Sequence, residues 1–223
     1  MVTASPIRAI LCAGGQVFIP FHIIYFIGLC IGSTILWRHA RSGDRAPVAE
    51  DHTTTLDRAL TALPALGMFV GPVCSTWTPW LAWADYQMGP WSLLPGIFFF
   101  AVGLWLLWRS HIDLGRHWSA GLQIRRGQHL VTHGVFSHIR HPLYAGYFLW
   151  GLAQPWLIHN WVAGLSMLVS FAPVYFYRVT REERMMQQYF PEYATYMLRT
   201  DRLWPWKWLA CTLLREPVGD VDG

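Results

Sequence analysis

Long apolar runs, separated by short polar stretches, dominate the chain. Five stand out, at residues 17–37, 59–83, 91–108, 142–158 and 161–177. At 1.5 Å per residue the first covers about 31 Å, enough to cross a bilayer as a helix. The second contains Pro64, Pro72 and Pro79, any of which can kink it. The fourth and fifth are short and are separated only by His159 and Asn160, which predicts an antiparallel helical hairpin. Gly28/Gly32 and Gly67/Gly71 have the spacing that lets helices approach closely, and packing inside the bundle explains them without a dimer seam. Residues 38–58 read as a polar, mobile loop. After the fifth run Met185, Tyr189, Tyr193 and Tyr196 form a helical stripe, and Pro191 starts a further helical turn. The competing reading of that stripe is a helix lying on the headgroups.

The loop charges give the orientation. Arg38, Arg41, Arg45 and Arg58 separate the first two runs, five arginines separate the third from the fourth, and seven Lys and Arg follow the fifth. The loops at 84–90 and 159–160 carry none. With five spans, all but Arg8 of the 17 Lys and Arg fall on one side. The positive-inside rule then places the N-terminus outside and the C-terminus in the cytoplasm of an inner or plasma membrane. Trp37, Trp83, Trp91, Trp108 and Trp161 sit at run ends, as interfacial belts do. The expected fold is an all-α polytopic membrane protein of about five spans. Its three parts are a three-span N-terminal region (1–108), a catalytic region with spans four and five (109–205), and a tail (206–223).

Composition agrees. Of 223 residues 53% are hydrophobic and 13% charged, against about 25% charged in a soluble domain. That excludes a disordered or fibrous chain and argues against an ordinary soluble enzyme. The net charge of +4 is spread between apolar runs, so its partner is the lipid bilayer and not nucleic acid. Cys12, Cys30, Cys74 and Cys211 show no CxxC spacing and give neither a disulfide framework nor a zinc site. Residues 1–6 lack a basic leader region, so the first run is expected to be retained. Oligomeric state stays open.

The chemistry concentrates just before the fourth run, at residues 130–146. Pro142 suits the first position of a helix, which places Arg140 and His141 at a helix N-terminus, where free N–H groups favour an anion. Arg140 strengthens such a site by bidentate pairing with a carboxylate. Gly134 and Gly146 permit close approach of a ligand or a helix. Taken singly, Arg140 and His141 read as snorkelling residues and Tyr144 as part of the aromatic belt. Their clustering, with Glu182 and Glu183 on the same face of the membrane, favours a site. Six of the ten histidines lie between His111 and His141, which raises a membrane metal oxidoreductase as an alternative. The spacing His133-x4-His138-x2-His141 lacks a paired HH, and no metal ligand set is assigned. There is no P-loop and no GxGxxG after a strand, which excludes a soluble Rossmann methyltransferase or dehydrogenase.

Leu130-Val131-Thr132, Gly134, Arg140-His141-Pro142, Tyr144, Gly146, then Arg178, Glu182-Glu183, and Tyr193 with Tyr196 together resemble the core of the isoprenylcysteine carboxyl methyltransferase family. The resemblance covers about residues 109–205. It implies an integral membrane enzyme that transfers a methyl group from S-adenosyl-L-methionine. By position it implies a cofactor pocket of Gln128, His129, Leu130, Val131, Phe136, His141, Pro142, Leu143, Tyr144 and Glu182, with Gln123 beside them. Arg178 matches a position associated with substrate. Two positions depart from the family pattern: Phe136 replaces a usual Tyr, and Val135 follows Gly134 where many relatives have Pro. The implied acceptor is a prenylcysteine-like carboxylate, and thiols, amines or phenols are alternatives within the same layout. A carboxylate is itself nucleophilic, whereas a thiol or hydroxyl needs a base, for which His141 or Glu183 is the candidate. A non-enzymatic membrane protein is the remaining alternative.

Overall fold

The computed structural model describes residues 19–41, 46–119 and 121–213. Arg8, Cys12, residue 17, Arg45, Arg215 and the side chain of Cys211 lie outside the described residues. Eight α-helices are described: α1 (Ile19–Arg41), α2 (Thr55–Ala65), α3 (Gly71–Trp77), α4 (Leu93–Leu114), α5 (Pro142–Leu157), α6 (Trp161–Tyr189), α7 (Tyr193–Arg199) and α8 (Trp206–Leu213). Two short strands, β1 (Val48–Asp51) and β2 (Gln123–Arg125), pair antiparallel with Val48 opposite Arg125 and Asp51 opposite Gln123. The stretch expected to be a mobile loop therefore carries an ordered strand, and the fold is helical with one two-stranded sheet. Four residues of mixed polarity are too few for an alternating strand pattern to show in sequence.

Among the described residues the chain passes between two ends of the bundle five times. At the end without basic loops, the Tyr86 N–H donates to the His159 carbonyl (3.0 Å). There the Asn160 amide donates to the Leu81 carbonyl (2.6 Å) and to Asp85 (2.7 Å), and the Phe21 ring lies 4.8 Å from His159. At the other end the His39 and His111 rings lie 4.7 Å apart, and Arg181 pairs with Asp57 at 2.7 Å. Hence α1, the α2–α3 segment, α4, α5 and α6 each run from one end to the other. Four of these passes are long and apolar enough to cross a membrane. The fifth, α5, has 16 residues and a length of about 24 Å, less than the roughly 30 Å hydrocarbon core.

Local sequence explains the elements. Thr54 and Asp57 form a reciprocal capping box that starts α2. Pro64 interrupts the helical ladder, and a π turn at Leu66–Val70 carries the pass into α3. Pro72 sits in the first turn of α3, and Pro79 opens a separate 3₁₀ turn. The second pass thus ends at Trp77, earlier than the apolar run. Helix α6 continues through 29 residues, well past Tyr177, and Pro191 lies in the turn that leads to α7.

A buried polar contact ties four passes together. The Tyr25 hydroxyl donates to the Met68 carbonyl (2.7 Å) and lies 3.0 Å from the Gln154 amide oxygen. The Gln154 NH₂ donates to the carbonyls of Gly67 (3.1 Å) and Ala163 (2.5 Å). Every polar atom of this buried amide is satisfied, as an apolar interior requires. The glycine pairs do the close packing. A Cβ on Gly28 would strike the Phe100 ring, one on Gly32 the Trp150 ring, and one on Gly67 the backbone of Ser166 in α6.

Because the obstacle at Gly67 is backbone, it cannot move aside. Gly67→Ala should destabilise the protein by about 1–3 kcal/mol, read as a lower thermal midpoint in detergent, whereas Ile27→Ala on the exposed face of α1 should change it by less than about 0.5 kcal/mol.

Candidate active site

At the end of the bundle that carries the arginines lies a cavity of about 250 Å³. Helix α6 supplies one wall, because Phe171, Val174, Arg178, Glu182 and Met185 recur at intervals of three and four and so share a face. Leu143, Tyr144 and Tyr147 of α5 form the second wall, and Thr61 and Pro64 of α2 close the inner side. Gln123, Gln128 and His129 line the outer part, and Tyr193 and Tyr196 cover it from α7. The cavity therefore grades from polar groups at the sheet to aromatic groups inside the bundle.

The two adjacent glutamates point about 100° apart around α6 and do different things. Glu182 lines the cavity, where its carboxylate accepts from the Tyr144 hydroxyl at 2.7 Å. Glu183 is 3% exposed and points away from the cavity. It accepts from Arg140 Nε (3.1 Å) and Arg202 Nη2 (2.7 Å), and His141 Nε2 lies 3.3 Å from it. Arg140 is pinned further by the carbonyls of Met197 (3.2 Å) and Thr200. Two guanidiniums enclose this carboxylate, so the structure gives Glu183 a positioning place rather than that of a base facing an acceptor. Arg140 lines the cavity, yet most of its donors are engaged by protein groups, so its capacity for a further anion is smaller than expected. Outside the spans, burial raises the Tyr193 phenol well above its ordinary pKa, with Glu183 and Glu182 adding to the shift. Burial does the same for Tyr196. Both stay neutral, and Tyr196 donates to the Phe136 carbonyl at 2.6 Å.

Of the residues expected in a cofactor pocket, Gln123, Gln128, His129, Leu130, Val131, Phe136, Arg140, His141, Pro142, Leu143, Tyr144 and Glu182 all line this cavity, as does Arg178. Gly134 does not. It has φ +60°, and a Cβ there would collide with the Asp113 carboxylate. Asp113 accepts from the Val135 N–H (2.9 Å) and pairs with Arg109 (2.9 Å). Gly134 thus anchors the turn before α5 and does not approach a ligand. The side chain at 135 has no part in this anchor, which uses only the Val135 amide.

Sequence reasoning missed Thr61, Pro64, His111, Ser119, Tyr147, Phe171, Val174, Met185 and Met186, which also line the cavity. The three-and-four spacing on α6 was the available signal for that helix; for Thr61 and Pro64 there was none, since they reach the site across the fold. The His117 and His129 rings lie 4.5 Å apart and line the cavity with His111 and His141. His138 stacks edge-on to Trp208, His141 stacks on Tyr144, and among the described residues no group of three or more metal-ligating side chains is found.

Comparison with known proteins agrees with this geometry. The family model described as isoprenylcysteine carboxyl methyltransferase matches residues 96–188. The chain is 29% identical over 94 residues to protein-S-isoprenylcysteine O-methyltransferase of Schizosaccharomyces pombe, covering 41% of this chain and 40% of that protein. It is 31% identical over 91 residues to protein-S-isoprenylcysteine O-methyltransferase B of Arabidopsis thaliana, covering 40% and 46%. It is 32% identical over 103 residues to the cobalt-zinc-cadmium resistance protein CzcN of Cupriavidus metallidurans, covering 46% and 48%. The chain spans less than half the length of these curated relatives.

Removing the Glu183 charge leaves Arg140 buried without a counter-ion. Glu183→Gln should therefore cost about 3 kcal/mol, a fall of roughly 6–12 °C in the thermal midpoint for a chain of this size. An unchanged midpoint would show that the cluster does not hold the site together.

Proposed function

We propose that this chain, a member of the isoprenylcysteine carboxyl methyltransferase family through residues 96–188, methylates the carboxylate of a prenylcysteine-like acceptor with S-adenosyl-L-methionine. The observation that carries the proposal is the placement of Arg178 and Glu182 one turn apart on one face of α6, inside a single graded cavity. The end bearing Arg140 and Arg202 faces the cytoplasm, so the water-soluble donor enters from the sheet side and the lipid acceptor from between the helices.

The lining fits the donor's groups. Leu130, Val131 and Phe136 offer apolar contact to a base, Glu182 accepts from an ammonium or ribose hydroxyl, and the first turn of α5 after His141 offers backbone N–H groups to a carboxylate. The aromatic faces of Tyr144 and Phe136 suit a sulfonium. When bound, S-adenosyl-L-methionine supplies a methyl carbon already activated by that sulfonium.

The chain's own residues then position and desolvate. Arg178 is buried and lines the inner half of the cavity, with its Nη1 3.4 Å from Thr61 Oγ1. There it orients the acceptor carboxylate by charge-assisted hydrogen bonds. With the donor held by these residues, in-line attack by the carboxylate oxygen would form the C–O bond as the donor's C–S bond breaks, the electron pair leaving with sulfur. No proton moves, so no base is needed, and alignment with exclusion of water is the main contribution asked of the protein. Tyr144 holds Glu182 in place, and Tyr193 and Tyr196 cover the site from α7.

Calorimetry with S-adenosylhomocysteine on detergent-purified protein is the first test. Saturable binding is expected, and Glu182→Gln should weaken it by about 10–100-fold, the worth of a hydrogen bond to a charged group. His141→Ala should weaken it too. Arg178→Ala should leave that affinity within about twofold while lowering kcat/KM for a prenylcysteine by about 100-fold. No saturable binding by well-folded protein would overturn the reading.

A further inference from the structure

Beyond the cavity, the most exposed aromatic cluster at this end of the bundle follows α7. Trp204, Trp206, Trp208 and Leu209 are all exposed, Trp206 at 68%. Arg199, Arg202 and Lys207 alternate with them. Trp206, Leu209 and Ala210 lie three and four residues apart and share one face of α8. The segment is not a free tail. Leu203 packs against the apolar core of the bundle, and Lys207 Nζ donates to the carbonyls of Met197 (2.9 Å) and Thr200 (3.1 Å). The segment is thus held against the end of the apolar bundle, with its tryptophans exposed. Tryptophans interleaved with Lys and Arg suit the boundary between headgroups and acyl chains.

The same segment is wired to the cavity. The Arg140 N–H donates to the Asp201 carbonyl (2.8 Å) and the His141 N–H to the Arg202 carbonyl (3.0 Å). The Arg202 guanidinium closes on Glu183. We propose that residues 203–209 are a docking surface for the bilayer interface, and that seating them there holds Arg202 on Glu183 and so fixes the Arg140–His141 entry to the cavity. This goes beyond the methyl-transfer reading and does not depend on it.

The test uses the full chain in nanodiscs of phosphatidylethanolamine and phosphatidylglycerol, with Cys12, Cys30, Cys74 and Cys211 replaced by Ser. A nitroxide is placed at Ala210→Cys, with an aqueous reference at the exposed Arg126→Cys. The label at 210 should favour oxygen over a water-soluble nickel relaxant by about threefold more than the label at 126. Changing Trp204, Trp206 and Trp208 together to Ser should bring the two labels to the same value. In that variant the amides of Arg140 and His141 should exchange about tenfold faster while those of α6 stay unchanged. If α6 also loosens, Trp206→Ser alone supplies the comparison. Labels at 210 and 126 that match in the parent protein would overturn the docking surface. A label shielded from both reagents would overturn it too, in favour of a protein partner. Unchanged exchange at 140–141 after the label moves to water would overturn the coupling. Neither readout uses a methyl donor, so failure here and failure of the proposed activity are separate results.

Discussion

The ion cluster at Glu183 is the interaction on which the site depends. One buried carboxylate meets two guanidiniums and an imidazole, each from a segment that the chain connectivity alone would leave loose. Arg140 and His141 close the long connection from α4, α6 carries the carboxylate, and Arg202 follows α7. Glu183, Arg140 and His141 are buried while Arg202 is half exposed, and the buried members hold their geometry because any departure leaves a charge unpaired. The helical turn of α6 then does the rest: with Glu183 facing this cluster, Glu182 and Arg178 face the cavity.

Why the cavity lies at this end follows from lengths and polar accounting. Helix α6 has 29 residues and α4 has 22, whereas α5 has 16. A short helix between two longer ones leaves a recess, and the connection at 115–141 lies over it with the two-stranded sheet. At the opposite end Tyr86, Ser92, His159 and Asn160 bond to one another and to nearby carbonyls. Those polar groups satisfy each other and leave little to offer a ligand. The apolar bundle between the ends has little room for unpaired polarity, so chemistry is confined to the recess.

Sequence patterns carried much of this, but unevenly. The apolar runs coincide with the passes among the described residues, four of them long and apolar enough to cross a membrane, because a membrane span must be continuous. The RHP block and Glu182 fall on the wall of the candidate cavity, because a helix start and buried charges leave local signals. Four things were not legible. Pairing of β1 with β2 joins segments about 75 residues apart through backbone bonds that leave no side-chain mark. Thr61 and Pro64 line the cavity only because the second pass leans on α6 at Gly67, a tertiary contact. The sequence pattern offers Gly134 as a point of close approach for a ligand or a helix, and in the structure its positive φ and the nearby Asp113 carboxylate account for the glycine. The division of labour between Glu182 and Glu183 also had to await the direction of α6.

The engagement of each candidate base bears on the chemistry. Glu183 is enclosed by cations and lies outside the cavity wall; His141 is stacked on Tyr144 and directed at Glu183; Glu182 receives the Tyr144 hydroxyl. A reaction that had to strip a proton from a thiol or phenol would need one of these partnerships broken first. A carboxylate acceptor arrives already ionised and asks only for a cation to orient it and an apolar wall to exclude water. Arg178, buried beside Tyr147 and Phe171, offers both from a single place on α6. On the proposed reading, the arrangement favours an acceptor whose own charge replaces the catalytic base, and it gives the inner cavity a reason to be aromatic where the outer cavity is polar.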